Sequence, residues 1–441
     1  MKNNNHLLLS IMMFLQLFVW GTWFTTLGFA LSAGGMSDNI GGAYAAVPLA
    51  AILAPLSVGL IADRFLNCEK TMGILHIIGG ALLLMAPSLI ADKNSDLLGW
   101  VILGHMLCYM PTLALSNTVA FSNITDPNDF PKLRVWGTIG WIAAGLLVGG
   151  LGMSSSPKIF TLGAVSAFAL GALSFALPKT PPPAKGQEFN IGTLFMVDAF
   201  KLLANPAFLV FMVCSALVCI PLAYYYAFTA VFLPQVGFQA TASTMTLGQF
   251  SEIFFMLLIP FFYRKLGVKN MILIGMAAWA IRYALFAFGA PDLTISMILA
   301  GVLLHGICYD FFFVTGFMYT DSKVPKQVRS QAQSLLVFFT QGIGMYFGYK
   351  VAGAKFGALA ESSDALAGAI GDPPRFEFWE SFGKMFVAVK PEVDPKIIEA
   401  AMTQWKTFWI YPSFLSVVIA VIFAVAFWDK AKPEPAKETQ E

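Results

Sequence analysis

Long apolar runs recur along the whole chain, and they constrain its fold more than any other feature of the sequence. A helix that crosses the hydrocarbon core of a bilayer needs about 20 predominantly apolar residues, so twelve of them would use roughly 240 residues. The chain has 441 residues, of which 57% are hydrophobic and only 12% are charged, and its mean hydropathy is +0.71. The sequence therefore predicts an all-α membrane protein and excludes a soluble enzyme, a disordered protein and a secreted disulfide scaffold.

The apolar runs give twelve predicted membrane spans. These lie at residues 7–33, 41–63, 70–91, 97–121, 133–154, 158–178, 207–234, 242–263, 269–289, 293–316, 328–352 and 406–428. The first run could pass for a secretory signal. It is longer than the apolar region of a signal peptide and contains Gln16, Trp20 and Trp23, so we interpret it as the first span.

Basic residues indicate how the chain is oriented in the membrane. They gather in the even-numbered loops and at their edges: Arg64, Lys70, Lys132, Lys179, Lys185, Lys201, Arg264, Lys265, Lys269, Lys323 and Lys326. The short odd-numbered loops carry only Lys93 and Lys158. Because loops rich in Lys and Arg stay in the cytoplasm, both termini are predicted to be cytoplasmic.

A polar, proline-rich stretch at residues 178–188 separates six spans from six. Basic loops follow the second and the eighth span, about 200 residues apart, which indicates two related bundles. Two unrelated bundles with similar loops are the alternative. We expect an N-terminal six-helix bundle at 1–178, a cytoplasmic linker at 179–206 and a C-terminal bundle at 207–428. The latter includes a long periplasmic loop at about 353–405, with a short amphipathic helix near 377–386, and a cytoplasmic tail follows at 429–441.

The sequence gives no sign of a metal, a cofactor or a nucleic-acid partner. The net charge is only +2, and the five cysteines form no CxxC pair, so small buried residues are the simplest interpretation. The four histidines are too scattered to predict a metal site.

Ionisable residues inside spans are costly and therefore mark candidate functional positions. Within or at the start of spans, the sequence has Arg134, Glu252, Arg282, Asp310, His105 and His305. A carboxylate at Asp310 must take a proton or meet a cation. Both options suit a proton-coupled transporter, and a permanent Asp–Arg pair that fixes helix packing is the alternative.

Several other polar residues are candidates for a solute cavity. Gln249 and Glu252 are three residues apart and share a helical face, which suits hydrogen bonds to a polar solute. Tyr226, in a run of three tyrosines, lines the cavity or anchors the chain at the interface. His305 is five residues from Asp310, about 140° round a helix, so a hydrogen-bonding cavity residue is favoured over a direct proton relay.

The two arginines have simpler alternatives. Arg134 could extend its side chain to the cytoplasmic interface. Arg282 has no evident partner in the sequence, and a structural ion pair is predicted for it.

Several separated strings resemble a known family. They lie at residues 14–28 (FLQLFVWGTWFTTLG), 109–118 (YMPTLALSNT), 134–140 (RVWGTIG), 251–252 with 259–262 (SE and IPFF), 279–289 (WAIRYALFAFG), 309–312 (YDFF) and 329–333 (RSQAQ). Together they resemble the bacterial nucleoside:proton symporters of the major facilitator superfamily. Gly59, Asp63 and Arg64 are similar to the superfamily's motif between spans two and three, which we interpret as a gating loop.

The resemblance implies twelve helices and uptake of nucleosides with protons by alternating access. We expect a monomer in the bacterial cytoplasmic (inner) membrane. Its matching motifs carry cavity roles over to Arg134, Thr138, Gln249, Glu252 and Asp310. Arg134, Glu252 and Asp310 become candidates for proton coupling as well as substrate binding. The resemblance also places Trp141 where an aromatic residue can stack on a base, and Tyr309 beside the acid.

The sequence departs from the family in two places. Span seven has Ala223 and Tyr226 where the permeases carry amide side chains, and His305 stands where a tyrosine is usual. Because such polar contacts decide which solute fits, another nucleoside or another polar solute such as a sugar is the alternative substrate. A sensor or scaffold would need a signalling domain, and a membrane enzyme would need a catalytic cluster; the sequence shows neither.

Overall fold

The computed structural model describes residues 2–57, 66–124, 130–182, 196–325 and 328–428. Over these ranges the regular structure is helical, apart from one isolated bridge between Phe238 and Ala388. Helices are expected because the hydrocarbon core offers no water to backbone amides and carbonyls, so each segment must satisfy its own hydrogen bonds.

Eight helices form the six spans of the first half. They are Lys2–Gly21, Leu27–Ala33, Ile40–Ser57, Cys68–Leu83, Ala86–Ala91, Ser95–Asn123, Phe130–Gly150 and Lys158–Ser174. The first span is broken by a turn at residues 22–26, and the third by a turn at 84–85.

The second half begins with the short helix Val197–Phe200 and then the seventh span, Pro206–Gln235. The long helix Thr241–Gly289 holds spans eight and nine. It bends at Gly267, whose φ of 68° lies in the left-handed region that favours glycine. The backbone at Gly267 is not helical, so this stretch consists of two helices, one for each span, joined at that residue.

The tenth and eleventh spans each contain a π-helical segment. Span ten is built from Ile295–Leu303, His305–Tyr309, the π-helical Asp310–Val314, and Thr315–Lys323. Span eleven is built from Arg329–Val337, the π-helical Phe338–Gly344, and Met345–Phe356. The sequence gives no signal for these two segments.

The region between spans eleven and twelve contains helices of its own, Ala360–Ile370 and Phe378–Lys384. The last helix runs from Pro395 to Ala426, so its start lies before the predicted residue 406. Asp394 caps this helix by accepting a hydrogen bond from the Lys396 amide at 2.9 Å, and Pro395 suits the first helical turn. Hydropathy missed these first turns because Lys396, Glu399, Thr403 and Gln404 interrupt their apolar residues.

The helices form twelve spans in two six-helix bundles, as the sequence predicts. Seven helical segments in the described ranges are long and apolar enough to cross a membrane, and one of them is the two-span helix Thr241–Gly289. The proposed domain limits stay predictions. Residues 183–195 of the linker and 429–441 of the tail lie outside the described residues.

The halves meet along two seams. In the first, Ile40–Ser57 packs against Met345–Phe356; in the second, Phe130–Gly150 packs against the span-eight part of Thr241–Gly289. Close contacts between the halves lie toward the end of the bundle that carries residues 34–39, 151–157 and 357–394, which we call the long-loop face. There the Ser37 hydroxyl donates a hydrogen bond to the Asp364 carboxylate at 2.6 Å, and the Phe376 amide donates to the Gly150 carbonyl at 2.8 Å.

Gly41 makes one of these seams possible. A Cβ at this position would lie 2.6 Å from the Tyr349 carbonyl oxygen and 2.7 Å from the Gly353 Cα. Both obstructing atoms belong to backbone, which cannot swing aside as a side chain can. Contact between spans two and eleven therefore depends on glycine here.

We predict that Gly41→Leu opens the long-loop face. Overpacking costs about 1–3 kcal/mol, which weakens the closed seam relative to any state in which the halves separate. Spin labels at Asp38 and Glu361, in a variant without the native cysteines, should report a longer distance across this face. Gly42→Leu is the matched control because a Cβ there meets no atom within 4 Å. An unchanged distance in Gly41→Leu would contradict the assigned role of this contact.

Candidate functional site

A cavity of about 350 Å³ lies between the two bundles. Both halves supply its lining, through spans one, two, four and five and through spans seven, eight, ten and eleven. The lining residues are Leu17, Trp20, Phe24, Val47, Pro48, Ala51, Met110, Leu113, Arg134, Thr138, Trp141, Tyr226, Gln249, Glu252, His305, Tyr309, Phe313, Phe317, Val337, Gln341, Met345 and Tyr349.

Eight of the residues predicted from the sequence meet in this cavity: Arg134, Thr138, Trp141, Tyr226, Gln249, Glu252, His305 and Tyr309. Helical spacing explains much of the convergence. Arg134 and Thr138 are four residues apart on span five, and Gln249 and Glu252 are three apart on span eight. Since these spans form one of the seams, the two polar faces meet there. Arg134 is exposed in the cavity wall.

Glu252 faces His305 across the cavity wall. Their Oε2 and Nε2 atoms are 3.9 Å apart, the side chain of Glu252 is 20% exposed, and that of His305 is 2% exposed. The buried imidazole is therefore fixed in place, while the carboxylate remains accessible to a solute.

A stack of aromatic rings holds His305 in this position. Its ring stacks on Tyr225 at a centroid distance of 5.3 Å and on Tyr309 at 5.6 Å. On the far side of Tyr225 lies the guanidinium of Arg282, whose Cζ is 4.1 Å from the ring centroid. The stack thus joins a fully buried cation to the cavity wall through two rings.

The prediction of an ion pair for Arg282 is wrong within the described residues. Its Nε donates to the Gly301 carbonyl at 2.9 Å, and its Nη2 to the Val302 carbonyl at 3.4 Å. Backbone carbonyls and the face of Tyr225 replace a carboxylate as the partners of this cation. A permanent Asp310–Arg282 pair is therefore not formed in this conformation.

Asp310 does not line the cavity, contrary to the role carried over from the resemblance. It is 0% exposed, and neither carboxylate oxygen has a hydrogen-bond partner among the described residues. Successive residues of a helix are about 100° apart around its axis, so Tyr309 can face the cavity while its neighbour Asp310 faces the protein interior. A buried carboxylate without a partner is costly as an anion, so this environment fits the neutral, protonated acid.

Aromatic rings from both halves form the rest of the cavity wall. Trp20 and Trp141 meet edge to face at a centroid distance of 5.6 Å, and Phe24 contacts Tyr226 across the halves at 5.5 Å. Of the tyrosine run, Tyr224 packs on Phe408 and is directed away from the cavity. These flat apolar surfaces can hold a planar ring between them.

Gln341 and Tyr349 of span eleven line the cavity and were missed in the sequence. Both are uncharged, so a search for ionisable residues within spans passes over them. Gln341 lies in the π-helical segment Phe338–Gly344. A search for amides in apolar runs would have found it, although not the face on which it lies.

His76 and His105 of the first half lie in a separate, buried network. The Gln16 amide donates to Thr112 at 2.7 Å, and its oxygen is 3.2 Å from Nε2 of His76. His105 places its Nδ1 3.0 Å from the Gly79 carbonyl. These contacts give the two histidines a structural role in packing spans one, three and four.

Two further predictions concern residues beyond the cavity. Gly59, Asp63 and Arg64 of the predicted gating loop lie outside the described residues. In the part of the chain that the structure describes, no group of three or more His, Cys, Asp or Glu side chains is arranged to hold a metal ion.

Two helical bundles around a shared, partly polar cavity define a membrane transporter of the major facilitator type. A family model described as the nucleoside H⁺ symporter matches residues 3–432. YegT of Escherichia coli (strain K12) is 38% identical over 434 residues, which cover 95% of this chain and 93% of that protein. The xanthosine permease of the same organism is 31% identical over 363 residues, which cover 78% and 86%.

The crystal structure of the nucleoside transporter NupG matches with a TM-score of 0.78 at 29% identity, and covers 97% of this chain and 100% of that one. The chain belongs to the nucleoside:proton symporter family. The predicted family and fold class are thereby confirmed. The protein is a proton-coupled nucleoside transporter and not an enzyme.

We predict that Arg282→Leu destabilises the protein by about 2–4 kcal/mol, because it removes two buried hydrogen bonds from a charged donor and the contact with the face of Tyr225. The unfolding temperature of the purified protein in detergent should fall. Arg264→Leu is the control, since Arg264 is exposed and donates to the Pro260 carbonyl within its own helix. Equal unfolding temperatures for Arg282→Leu and the wild type would show that the buried cation does not support the stack.

Proposed function

We propose that the cavity between the bundles is the nucleoside site and that Asp310 carries the coupled proton. One observation carries the proposal. The cavity is lined by polar and aromatic side chains, and the buried acid Asp310, which has no hydrogen-bond partner among the described residues, directly follows Tyr309 of the cavity wall. A nucleoside has hydroxyl groups on its sugar and a flat base. The cavity offers hydrogen-bonding groups for the former and aromatic rings for the latter.

In this proposal the sugar lies at the seam of spans five and eight. Arg134 donates to hydroxyl oxygens, Glu252 accepts from hydroxyl groups, and Thr138 and Gln249 do both. Trp141 and Tyr226 stack on the base from either half. His305 orients Glu252 and adds a polar ring atom to the same wall. The substrate then touches both halves at once.

The proton acts through the charge of Asp310. When the acid is protonated, burial costs little and the packed arrangement around span ten is stable. When it is ionised, the charge opposes that arrangement and favours a conformation that exposes it to water or to a cation. Glu252 is the second candidate carrier, since it lies in the cavity itself.

The excess of basic residues in the even-numbered loops supports cytoplasmic termini and a bacterial cytoplasmic membrane location. With that orientation the long-loop face is periplasmic. The close contacts between the halves lie on that side, which supports an inward-facing conformation as part of this proposal.

The experiment that tests the function is uptake of labelled uridine and adenosine into cells that express the protein, with and without a protonophore. Uptake that exceeds that of cells with the empty vector, and that the protonophore abolishes, is expected. Competition with unlabelled sugars distinguishes a nucleoside site from a site for another polar solute. Uptake blocked by a sugar but by no nucleoside would overturn the proposed substrate.

We predict that Asp310→Asn abolishes accumulation against a gradient but leaves nucleoside exchange in proteoliposomes. Asparagine resembles the protonated acid, so the carrier can still change conformation with substrate but no longer responds to protons. Asp198→Asn is the control, because Asp198 is 51% exposed, pairs with Lys201 and lies outside the cavity lining. Normal proton-driven accumulation by Asp310→Asn would exclude Asp310 as the carrier and leave Glu252.

We predict that Trp141→Ala raises the KM for nucleosides about tenfold, since stacking of a base on an aromatic ring contributes about 1–3 kcal/mol. Initial rates of uptake measured over a range of concentrations check this value. Trp136→Ala is the matched control for Trp141→Ala. Trp136 lies on the same helix but is 42% exposed and does not line the cavity. The same KM for Trp141→Ala and Trp136→Ala would contradict a stacking role.

A further inference from the structure

We propose that Gln341 recognises the hydrogen-bonding edge of the base and so determines which nucleosides the protein selects. This inference rests on the proposed function of the cavity. It goes beyond it by assigning the hydrogen-bonding edge of the base to the seam of spans two and eleven and the sugar to the seam of spans five and eight, while Trp141 and Tyr226 hold the face of the base.

The position of Gln341 is the first observation. Its side chain lines the cavity and is partly exposed, and its amide has no hydrogen-bond partner among the described residues. It lies in the π-helical segment Phe338–Gly344, and such segments, which have poorer backbone geometry, occur frequently at functional sites. The amide is therefore available to a solute.

The packing around this segment fixes where the amide stands. A Cβ at Gly342 would lie 2.7 Å from Cγ1 of Ile52 in span two, and a Cβ at Gly344 would lie 2.3 Å from the Ala216 carbonyl in span seven. The segment is thus in tight contact on both sides. A side chain presented from so closely packed a backbone has little freedom to move out of the cavity.

The surroundings of Gln341 make its hydrogen bonds selective. The nearby lining from spans two and eleven is largely apolar, with Val47, Pro48, Val337 and Met345. In apolar surroundings an amide that loses a partner is costly, so a site built around one strongly rejects a ligand that cannot complete the pair. The charged groups Arg134 and Glu252 belong to the other seam, of spans five and eight.

The chemistry of an amide matches a base better than a sugar. It presents one acceptor and one donor side by side in a plane. The same pair, in complementary order, occurs on the lactam edge of uracil and hypoxanthine and on the amidine edge of cytosine and adenine. Gln341 therefore selects bases that have such an edge and disfavours those that lack it.

This assignment also accounts for the departure in span seven. Ala223 is fully buried against Gly348, where a Cβ would lie 2.7 Å from the Ala223 Cβ, and it does not line the cavity. Tyr226 offers a ring and a hydroxyl in place of an amide. Gln341 supplies a cavity amide from span eleven instead.

The test compares inosine with purine riboside, which differ only at the base edge. Inosine has an N–H donor next to a carbonyl, whereas purine riboside keeps only the ring nitrogen acceptor. We expect the wild type to take up inosine with a kcat/KM about tenfold higher, and Gln341→Leu to bring this ratio close to one. Gln341→Asn, which keeps the amide, should retain part of the preference.

Gln249→Leu is the matched control because it removes an amide from the other seam. It should lower uptake of both nucleosides and leave their ratio unchanged. Equal loss of both substrates in Gln341→Leu with the ratio preserved would reduce Gln341 to a packing role and overturn the inference, while the nucleoside site would stand. Absence of nucleoside uptake by the wild type would instead refute the proposed function, and the inference with it.

Discussion

The hydrocarbon core offers no water to polar groups, and the structure depends on how each buried polar side chain meets that constraint. Arg282 meets it with two backbone carbonyls and the face of Tyr225. Asp310 has no hydrogen-bond partner among the described residues, and in the proposed mechanism it meets the constraint by being protonated. The two residues are buried in the same bundle and form no pair with each other in this conformation. In the proposed mechanism this separation leaves the charge of Asp310 free to respond to a proton.

The aromatic stack connects these buried groups to the solute. Tyr225 lies between Arg282 and His305, and His305 lies between Tyr225 and Tyr309. Asp310, Tyr309 and His305 all belong to span ten, and the last two form cavity wall. In the proposed mechanism a shift of span ten at Asp310 would carry both rings with it. Such coupling would run through ring contacts and needs no continuous chain of hydrogen bonds.

The sequence predicts the bundle well because hydropathy and helical spacing are local properties. Apolar runs place the spans, and the separation of Gln249 from Glu252 by three residues places both on one face. The partners of Arg282 were not predictable, since carbonyls and rings carry no sequence signal for ion binding. Neither was the side on which Asp310 lies, because the π-helical segment that begins there changes the angular relation between neighbours. Gln341 was missed for a similar reason. An uncharged amide in an apolar run can be recognised as a candidate binding residue only when the structure shows that it lines a cavity.

In the proposed arrangement, substrate binding and conformational change both involve the two seams. Arg134 and Thr138 belong to the first half and Gln249 and Glu252 to the second, so a sugar bound by all four joins the halves across one seam. Gln341 lies on span eleven, which packs against span two in the other seam. A nucleoside that contacts both seams would hold the two bundles together at two places. Rotation of one bundle against the other about either seam would then be limited. A sugar without a base would contact only the seam of spans five and eight. The contact with the second seam would therefore let the carrier select a nucleoside through the conformational change of the bundles as well as through binding affinity.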